Sequence, residues 1–244
     1  MDLQSQIELY GFAKVDNLYG QDEISRLITE VTAMRDWADV PGKYWRYYEE
    51  SKGPKVLNRM ERFYEYSQTM QEIIDHPGLD ATLTEIMGDR PQLFKEKINF
   101  KSSGGSGFNY HQDQAAGWSR YAPIFWSVAI AVDPCTAANG QLEIAKHIPS
   151  TRESLGEWAP LDEATLKDLR FESVSMEPGD IVIFDSYVPH GSAPNLSETS
   201  RNIVYLTYNQ RKYGSLRDEY YQHKSETYPQ DCERLAGHFY EYKV

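Results

Sequence analysis

Directly after a glycine-rich turn, Gly104-Gly105-Ser106-Gly107, the chain carries an imidazole and a carboxylate two residues apart in Phe108-Asn109-Tyr110-His111-Gln112-Asp113-Gln114. In an extended strand, residues i and i+2 project to one face, so His111 and Asp113 can converge on one point while Gln112 turns away. That is half of a metal site. The other half is a histidine distant in sequence, and His190 is the best candidate: Ile181-Val182-Ile183-Phe184-Asp185-Ser186-Tyr187-Val188-Pro189-His190-Gly191-Ser192 reads as a buried strand ending on a histidine. Two imidazoles and one carboxylate on one face of an iron leave three coordination positions open, the arrangement associated with non-haem Fe(II) oxygenases. A co-substrate and O2 can then bind side by side. Arg201 follows His190 by 201 − 190 = 11 residues, and Ser192 lies two past it. A guanidinium fork and a hydroxyl converging from adjacent strands suit a bidentate grip on a carboxylate near the metal. Each residue also has a plain structural reading: a hydrogen-bonded pair for His111 and Asp113, a core histidine for His190, a surface ion pair for Arg201, a turn cap for Ser192. Their occurrence as a set favours the metal.

The elements that must position these residues are legible in part. Residues 7–19 read as a short strand entering a turn, and Ile24, Leu27, Ile28 and Val31 form an i, i+3, i+4, i+7 stripe on a helix begun near Gly20-Gln21-Asp22. Residues 36–66 interleave aromatic and basic side chains without a clean period and are read as a long irregular segment that covers the substrate as a lid. Residues 68–87 read as two short helices split by His76-Pro77-Gly78. From Gln92 onward the texture changes to strands: 93–101, the His111 strand, 124–132, 141–145, 181–184 and 202–208, with polar excursions between them and a tyrosine-rich, helical or irregular tail from Ser215. A helix-led first third followed by turn-spaced strands without βαβ alternation predicts an antiparallel barrel or sandwich, with a metal site in the mouth of a jelly roll.

Composition narrows the function. A chain of 244 residues suits one substantial core. With 25 basic and 37 acidic side chains the net charge is −12, which repels nucleic acid and anionic lipid, so neither partner is expected. Cys135 and Cys232 have neither metal-type nor disulfide-framework spacing, and no leader-like N-terminus or apolar run of about 20 residues is present. A cytoplasmic protein acting on a small molecule is expected; the oligomeric state is open.

His111-Gln112-Asp113, Asn139-Gly140-Gln141-Leu142-Glu143, Pro178-Gly179-Asp180-Ile181-Val182-Ile183-Phe184, His190-Gly191-Ser192 and Arg201, in this order, resemble the phytanoyl-CoA dioxygenase family of Fe(II)- and 2-oxoglutarate-dependent oxygenases over roughly residues 7–209. The resemblance implies a mainly β fold with flanking helices around a double-stranded β-helix, or cupin-like jelly roll, in a single domain spanning 1–244. Its helical part would cover about 20–90, its core about 92–209 and its tail 210–244. It implies Fe(II) held by His111, Asp113 and His190, and the distal carboxylate of 2-oxoglutarate held by Arg201 and Ser192. Trp126 falls at an aromatic position that lines the co-substrate pocket. Of Lys95, Lys97 and Asn99, which alternate on one strand face, Asn99 is assigned to the co-substrate; a solvated edge is the alternative.

The implied reaction consumes 2-oxoglutarate and O2, releases succinate and CO2, and oxidises, most simply hydroxylates, a substrate C–H bond. Asp113 leaves no protein position for a halide ligand. His147 stands where the family often carries a glycine-serine-histidine turn and is read as structural or as support for a ligand. His76, His223 and His238 are read as surface residues, and Tyr110, Gln114 and Trp118 as pocket walls. Residues 95–101 with 58–63 are similar to members that hydroxylate aminoalkyl-phosphonates, while amino acids and bulkier natural-product scaffolds also suit the aromatics. Two other classes stay open: a metal-binding jelly roll without oxygenase activity, which would not need Arg201, and a hydrolase using a redox-inert metal, which would not need O2.

Overall fold

The computed structural model describes residues 2–50, 54–146, 154–155 and 160–240; His147 lies outside them. The chain opens with helix α1 (Leu3–Tyr10), closed by Gly11 in the left-handed conformation, and strand β1 (Phe12–Val15). The sequence reading of 7–19 as a short strand entering a turn therefore missed a helix, whose residues are all at least partly exposed and whose Leu3, Ile7 and Tyr10 pack only at the margin of the core. Helix α2 (Gln21–Met34) buries Ile24, Leu27, Val31 and Met34; the N–H of its N-cap residue, Gly20, donates to Glu23 at 2.7 Å.

Strands β2 (Trp45–Glu49) and β3 (Val56–Glu61) form a hairpin in the stretch read as irregular. This corrects the irregular reading: both strands extend the main sheet, with Arg59 opposite Asn99 and Glu61 opposite Lys97 on the neighbouring strand. The alternation was obscured because the inward positions Trp45, Tyr47, Arg59 and Glu61 mix aromatic and charged side chains, all buried. Helices α3 (Gln68–Ile74) and α4 (Pro77–Met87) are split where expected, with proline at the first position of α4 and His76 capping it.

The rest is the β core: β4 (Pro91–Lys101), β5 (Phe108–His111), β6 (Trp126–Ala131), β7 (Leu142–Lys146), the short helix α5 (Glu163–Lys167), β8 (Arg170–Val174), β9 (Ile181–Asp185), β10 (His190–Ser192) and β11 (Arg201–Gln210), followed by α6 (Arg217–Thr227). The strands make two antiparallel sheets, seven-stranded in the order β1-β9-β6-β11-β4-β3-β2 and four-stranded in the order β5-β10-β7-β8.

Alternation along the central strands divides the interior. Trp126, Val128, Ile130, Ile98, Val204 and Leu206 face α2, α3 and α4 in one apolar cluster, while Ala129, Ala131, Phe184, Ile203 and Tyr205 face Leu142, Ile144 and Val174 of the smaller sheet in another. The site opens at the end of this inter-sheet layer. The stretch 181–192 is not one strand: β9 ends at Asp185, the chain turns through Ser186–Pro189, and His190 begins a strand of the other sheet.

Candidate metal and co-substrate site

His111 ends β5 and His190 begins β10, and the two are direct partners across the ladder. Their rings lie 4.4 Å apart between centroids. Asp113 is not on the strand: it starts a single 3₁₀ turn, but the extended backbone of Gln112 (φ −105°, ψ 133°) keeps it on the same side as His111. Its Oδ1 lies 3.8 Å from His111 Nε2 and 3.9 Å from His190 Nε2, and the three ligand atoms are all within 4.8 Å of one another.

Each ligand is oriented from behind. His111 Nδ1 bonds the Asn109 carbonyl at 2.7 Å and His190 Nδ1 that of Val188 at 3.0 Å, which places the ring proton on Nδ1 and leaves Nε2 as the lone-pair donor. Ser127 donates to Asp113 Oδ2 at 2.6 Å and leaves Oδ1 for a cation. Burial lowers the pKa of both imidazoles, that of His111 to about 3 with help from His190, so both stay neutral. Burial raises the carboxyl pKa of Asp113, but its neighbours, His190 and Lys97 first, together with the Ser127 hydrogen bond, hold it well below the usual range. Two neutral imidazoles and an ionised carboxylate fit a ferrous ion.

The turn before His190 is locked to the ligand loop. Gln112 Nε2 donates to the Tyr187 carbonyl at 2.7 Å, the Gln114 amide N–H to that of Ser186 at 2.8 Å, and Ser186 Oγ to Gln114 Oε1 at 2.6 Å. Gln114 is thus a brace, not a pocket wall, and Tyr110 packs on Phe171 and donates to Glu143 at 2.8 Å. Of the three wall candidates only Trp118 lines the cavity.

On the inner face, Arg201 is fully buried; its Nη2 donates to the Gly140 carbonyl while Nε and Nη1 lack partners. Asn99 Oδ1, also buried, has no partner either. Ser192, two residues from His190 on β10, meets Lys101 Nζ at 2.7 Å, which ties it to the Arg201 region. The unpartnered Arg201 N–H groups fit a bound carboxylate, whereas Asn99 Oδ1 is an acceptor and would need a donor. Trp126 is a correction: it sits in the apolar cluster beneath the helices, on the opposite face from Ser127. Odd and even positions of a strand point apart, and the residue reaching the site is its neighbour, which sequence reasoning missed.

A cavity of about 450 Å³ runs outward from His111 and Asp113, lined among others by Arg59, Lys95, Lys97, Trp118, Tyr121 and Tyr220. Contrary to expectation, His223 and His238 also line it, together with Phe239 and Tyr240, so the segment after β11 is a wall of the site. His223 Nδ1 meets the Tyr121 hydroxyl at 2.8 Å. A separate cavity of about 570 Å³, near Tyr64, Asp75 and Arg90, contains none of the ligand set.

A jelly roll with two imidazoles and one carboxylate converging inside its mouth defines the non-haem iron oxygenase class. The family model described as phytanoyl-CoA dioxygenase (PhyH) matches residues 7–203, and the chain belongs to that family. It is 36% identical over 211 residues to the 2-aminoethylphosphonate dioxygenase of the uncultured bacterium HF130_AEPn_1, covering 84% of this chain and 79% of the relative. It is 29% identical to the methylphosphonate hydroxylase of Gimesia maris, covering 90% and 84%. Among solved structures, EctD from S. alaskensis with 2-oxoglutarate and 5-hydroxyectoine superposes with a TM-score of 0.74 at 18% identity, covering 86% of this chain and 76% of that one. The protein is an Fe(II)- and 2-oxoglutarate-dependent dioxygenase, which sets aside the inert-scaffold and hydrolase readings. No helix among the described residues is long and apolar enough to cross a membrane.

Proposed function

We propose that the enzyme hydroxylates a C–H bond of a small organophosphonate, with Fe(II) held by His111, Asp113 and His190 and the distal carboxylate of 2-oxoglutarate held by Arg201, Ser192 and Asn99. One observation carries the substrate class: Arg59, Lys95 and Lys97, from adjacent strands, face the same cavity as His111 and Asp113. Lys97 makes a ring contact with Tyr205, at 5.0 Å, and forms no salt bridge among the described residues. Lys95 meets the Tyr220 hydroxyl at 3.2 Å. Arg59 is partnered by Glu61, which also meets Lys224 at 2.6 Å. A tetrahedral dianion is the ligand such a wall selects, since it offers three acceptor oxygens and enough charge to offset desolvation of the ammonium groups. The similarity to two phosphonate oxygenases supports the same choice.

When bound, Fe(II) with 2-oxoglutarate and O2 supplies an oxidative decarboxylation that converts substrate C–H to C–OH with release of succinate and CO2. The side chains hold the partners in place. Lys97, adjacent to Asp113 in the electrostatics of the site, anchors the anionic head close to the metal ligands, so that the neighbouring carbon is presented to them. Trp118, Tyr121 and Tyr220 pack the organic remainder and exclude water. Residues 1–244 act in this reading as one functional domain: the helices back the main sheet, the jelly roll carries the ligands, and the segment from 210 closes the cavity.

The test is O2-dependent succinate release with 2-aminoethylphosphonate, methylphosphonate and their carboxylate counterparts. Stimulation by a phosphonate, with KM raised about 10-fold or more in Lys97→Met, is the expected result. Equal stimulation by carboxylates, or none by any phosphonate, would rule the substrate class out.

A further inference from the structure

The cavity beside the metal ligands holds more positive charge than a phosphonate head uses. Asp113 is the only carboxylate among the described residues that line it, against the Lys and Arg side chains of Arg59, Lys95, Lys97, Arg120 and Lys224. Arg59 and Lys224 share Glu61. Lys95, Lys97 and Arg120 form no salt bridge among the described residues. A dianion beside Lys95 and Lys97, which lie two residues apart on one face of β4, answers two of those three charges. Arg120 is left over.

A chain of contacts places Arg120 at the end remote from the metal ligands. Lys95 Nζ meets the Tyr220 hydroxyl at 3.2 Å, and the Tyr220 ring packs on that of Tyr121 at 6.0 Å between centroids. The Tyr121 hydroxyl meets His223 Nδ1 at 2.8 Å, and Arg120 Nη2 donates to His223 Nε2 at 3.4 Å. A guanidinium has no acceptor, so Nε2 accepts and the ring proton sits on Nδ1, which donates to Tyr121. The hydroxyl hydrogen of Tyr121 is thereby left for another acceptor. Arg120 itself is exposed at the mouth.

An ammonium group would need a carboxylate or an aromatic face to rest on. Asp113 is a metal ligand, and the rings already carry resident cations: Lys95 stands over Trp118 and Tyr220, both at 5.3 Å, Arg120 over Tyr121 at 5.5 Å and Arg234 over Tyr228 at 4.2 Å.

We propose that the preferred substrate is a phosphonocarboxylate, its carboxylate at the far end of the organic chain received by Arg120 and the Tyr121 hydroxyl. This rests on the reading that Lys97 and its neighbours hold a phosphonate head. The outer wall of the cavity thus selects against aminoalkyl-phosphonates, whose ammonium would meet like charge there.

The experiment compares O2-dependent succinate release with 3-phosphonopropionate, with propylphosphonate, which ends in a methyl group, and with 2-aminoethylphosphonate. In wild type, kcat/KM for 3-phosphonopropionate is expected to exceed the other two about 10-fold, the low end for a charged contact open to solvent. Arg120→Gln should erase the advantage over propylphosphonate, Arg120→Lys should keep part of it, and Arg120→Glu should reverse the order in favour of 2-aminoethylphosphonate. Anaerobic titration of the Fe(II)- and 2-oxoglutarate-loaded protein, followed by its metal-to-ligand charge-transfer absorption, reads binding apart from turnover and should rank the three compounds in the same order. No such advantage in wild type, or one that survives Arg120→Gln, overturns the proposal. No stimulation by any phosphonate, in protein that still binds 2-oxoglutarate, would instead refute the underlying reading of the substrate.

Discussion

His111 and His190 are a registered pair across two antiparallel strands, 79 positions apart in the chain (190 − 111 = 79) and 4.4 Å apart between ring centroids. Ladder pairing brings their rings together on one face, and the carbonyls of Asn109 and Val188, each two residues before its histidine, set both tautomers in the same way. The proposed metal site is thus a property of one strand pair plus the turn that adds Asp113.

Ser127 donates to Asp113 Oδ2 and so leaves Oδ1 as the carboxylate oxygen turned to His111 and His190. Ser127→Ala should weaken Fe(II) or Co(II) binding by about 10- to 100-fold with little change in unfolding temperature. Metal titration of the purified variant beside wild type checks it.

Trp126 lies under the helices. Trp126→Ala should cost about 3–5 kcal/mol of stability by opening a cavity, while the affinity of the remaining folded protein for 2-oxoglutarate stays within about twofold. Denaturant unfolding and the charge-transfer titration, run together, separate the two effects; a selective loss of 2-oxoglutarate binding would restore Trp126 to the pocket.

Glu61 is fully buried beside Lys224 and Arg59. Burial raises its pKa, but Lys224, Lys95 and Arg59 outweigh that and hold it well below the usual range. A carboxyl depressed in the folded state adds stability above its unfolded pKa of about 4.3, and that stability is lost as pH falls towards the folded value. Between pH 5 and 3 the wild type should lose stability more steeply than Glu61→Gln, which starts lower because it leaves Lys224 without its counter-charge. Urea midpoints across that window provide the comparison.

His238, Phe239 and Tyr240 line the cavity, yet Phe239 is 85% exposed, so these residues contribute to the substrate wall more than to the core. A chain ending at Gly237 should keep its unfolding temperature and 2-oxoglutarate affinity, with KM for the organic substrate raised about 10-fold. Steady-state succinate release at saturating 2-oxoglutarate measures it.

What the amino-acid order determined by itself lies in local chemistry and periodicity. The apolar stripe of α2, the Pro77 break and the continuous apolar β6 and β9 gave the layers, because burial imposes a period of 3.6 on helices and sparing polarity on central strands. His111, Asp113 and His190 were readable because few functions other than metal binding need that combination of types. Tertiary structure alone decided the rest. The hairpin at Trp45–Glu49 and Val56–Glu61 was hidden because its inward positions mix aromatic and charged side chains: Trp45 and Tyr47 pack in an aromatic cluster while Arg59 faces the cavity. Which face of β6 reaches the metal was hidden because both faces of a central strand are buried, so hydrophobicity does not distinguish Trp126 from Ser127. His223 and the tail at His238 acquire meaning only through neighbours from distant parts of the chain, since a titratable side chain is recognised by what surrounds it and not by its place in the sequence.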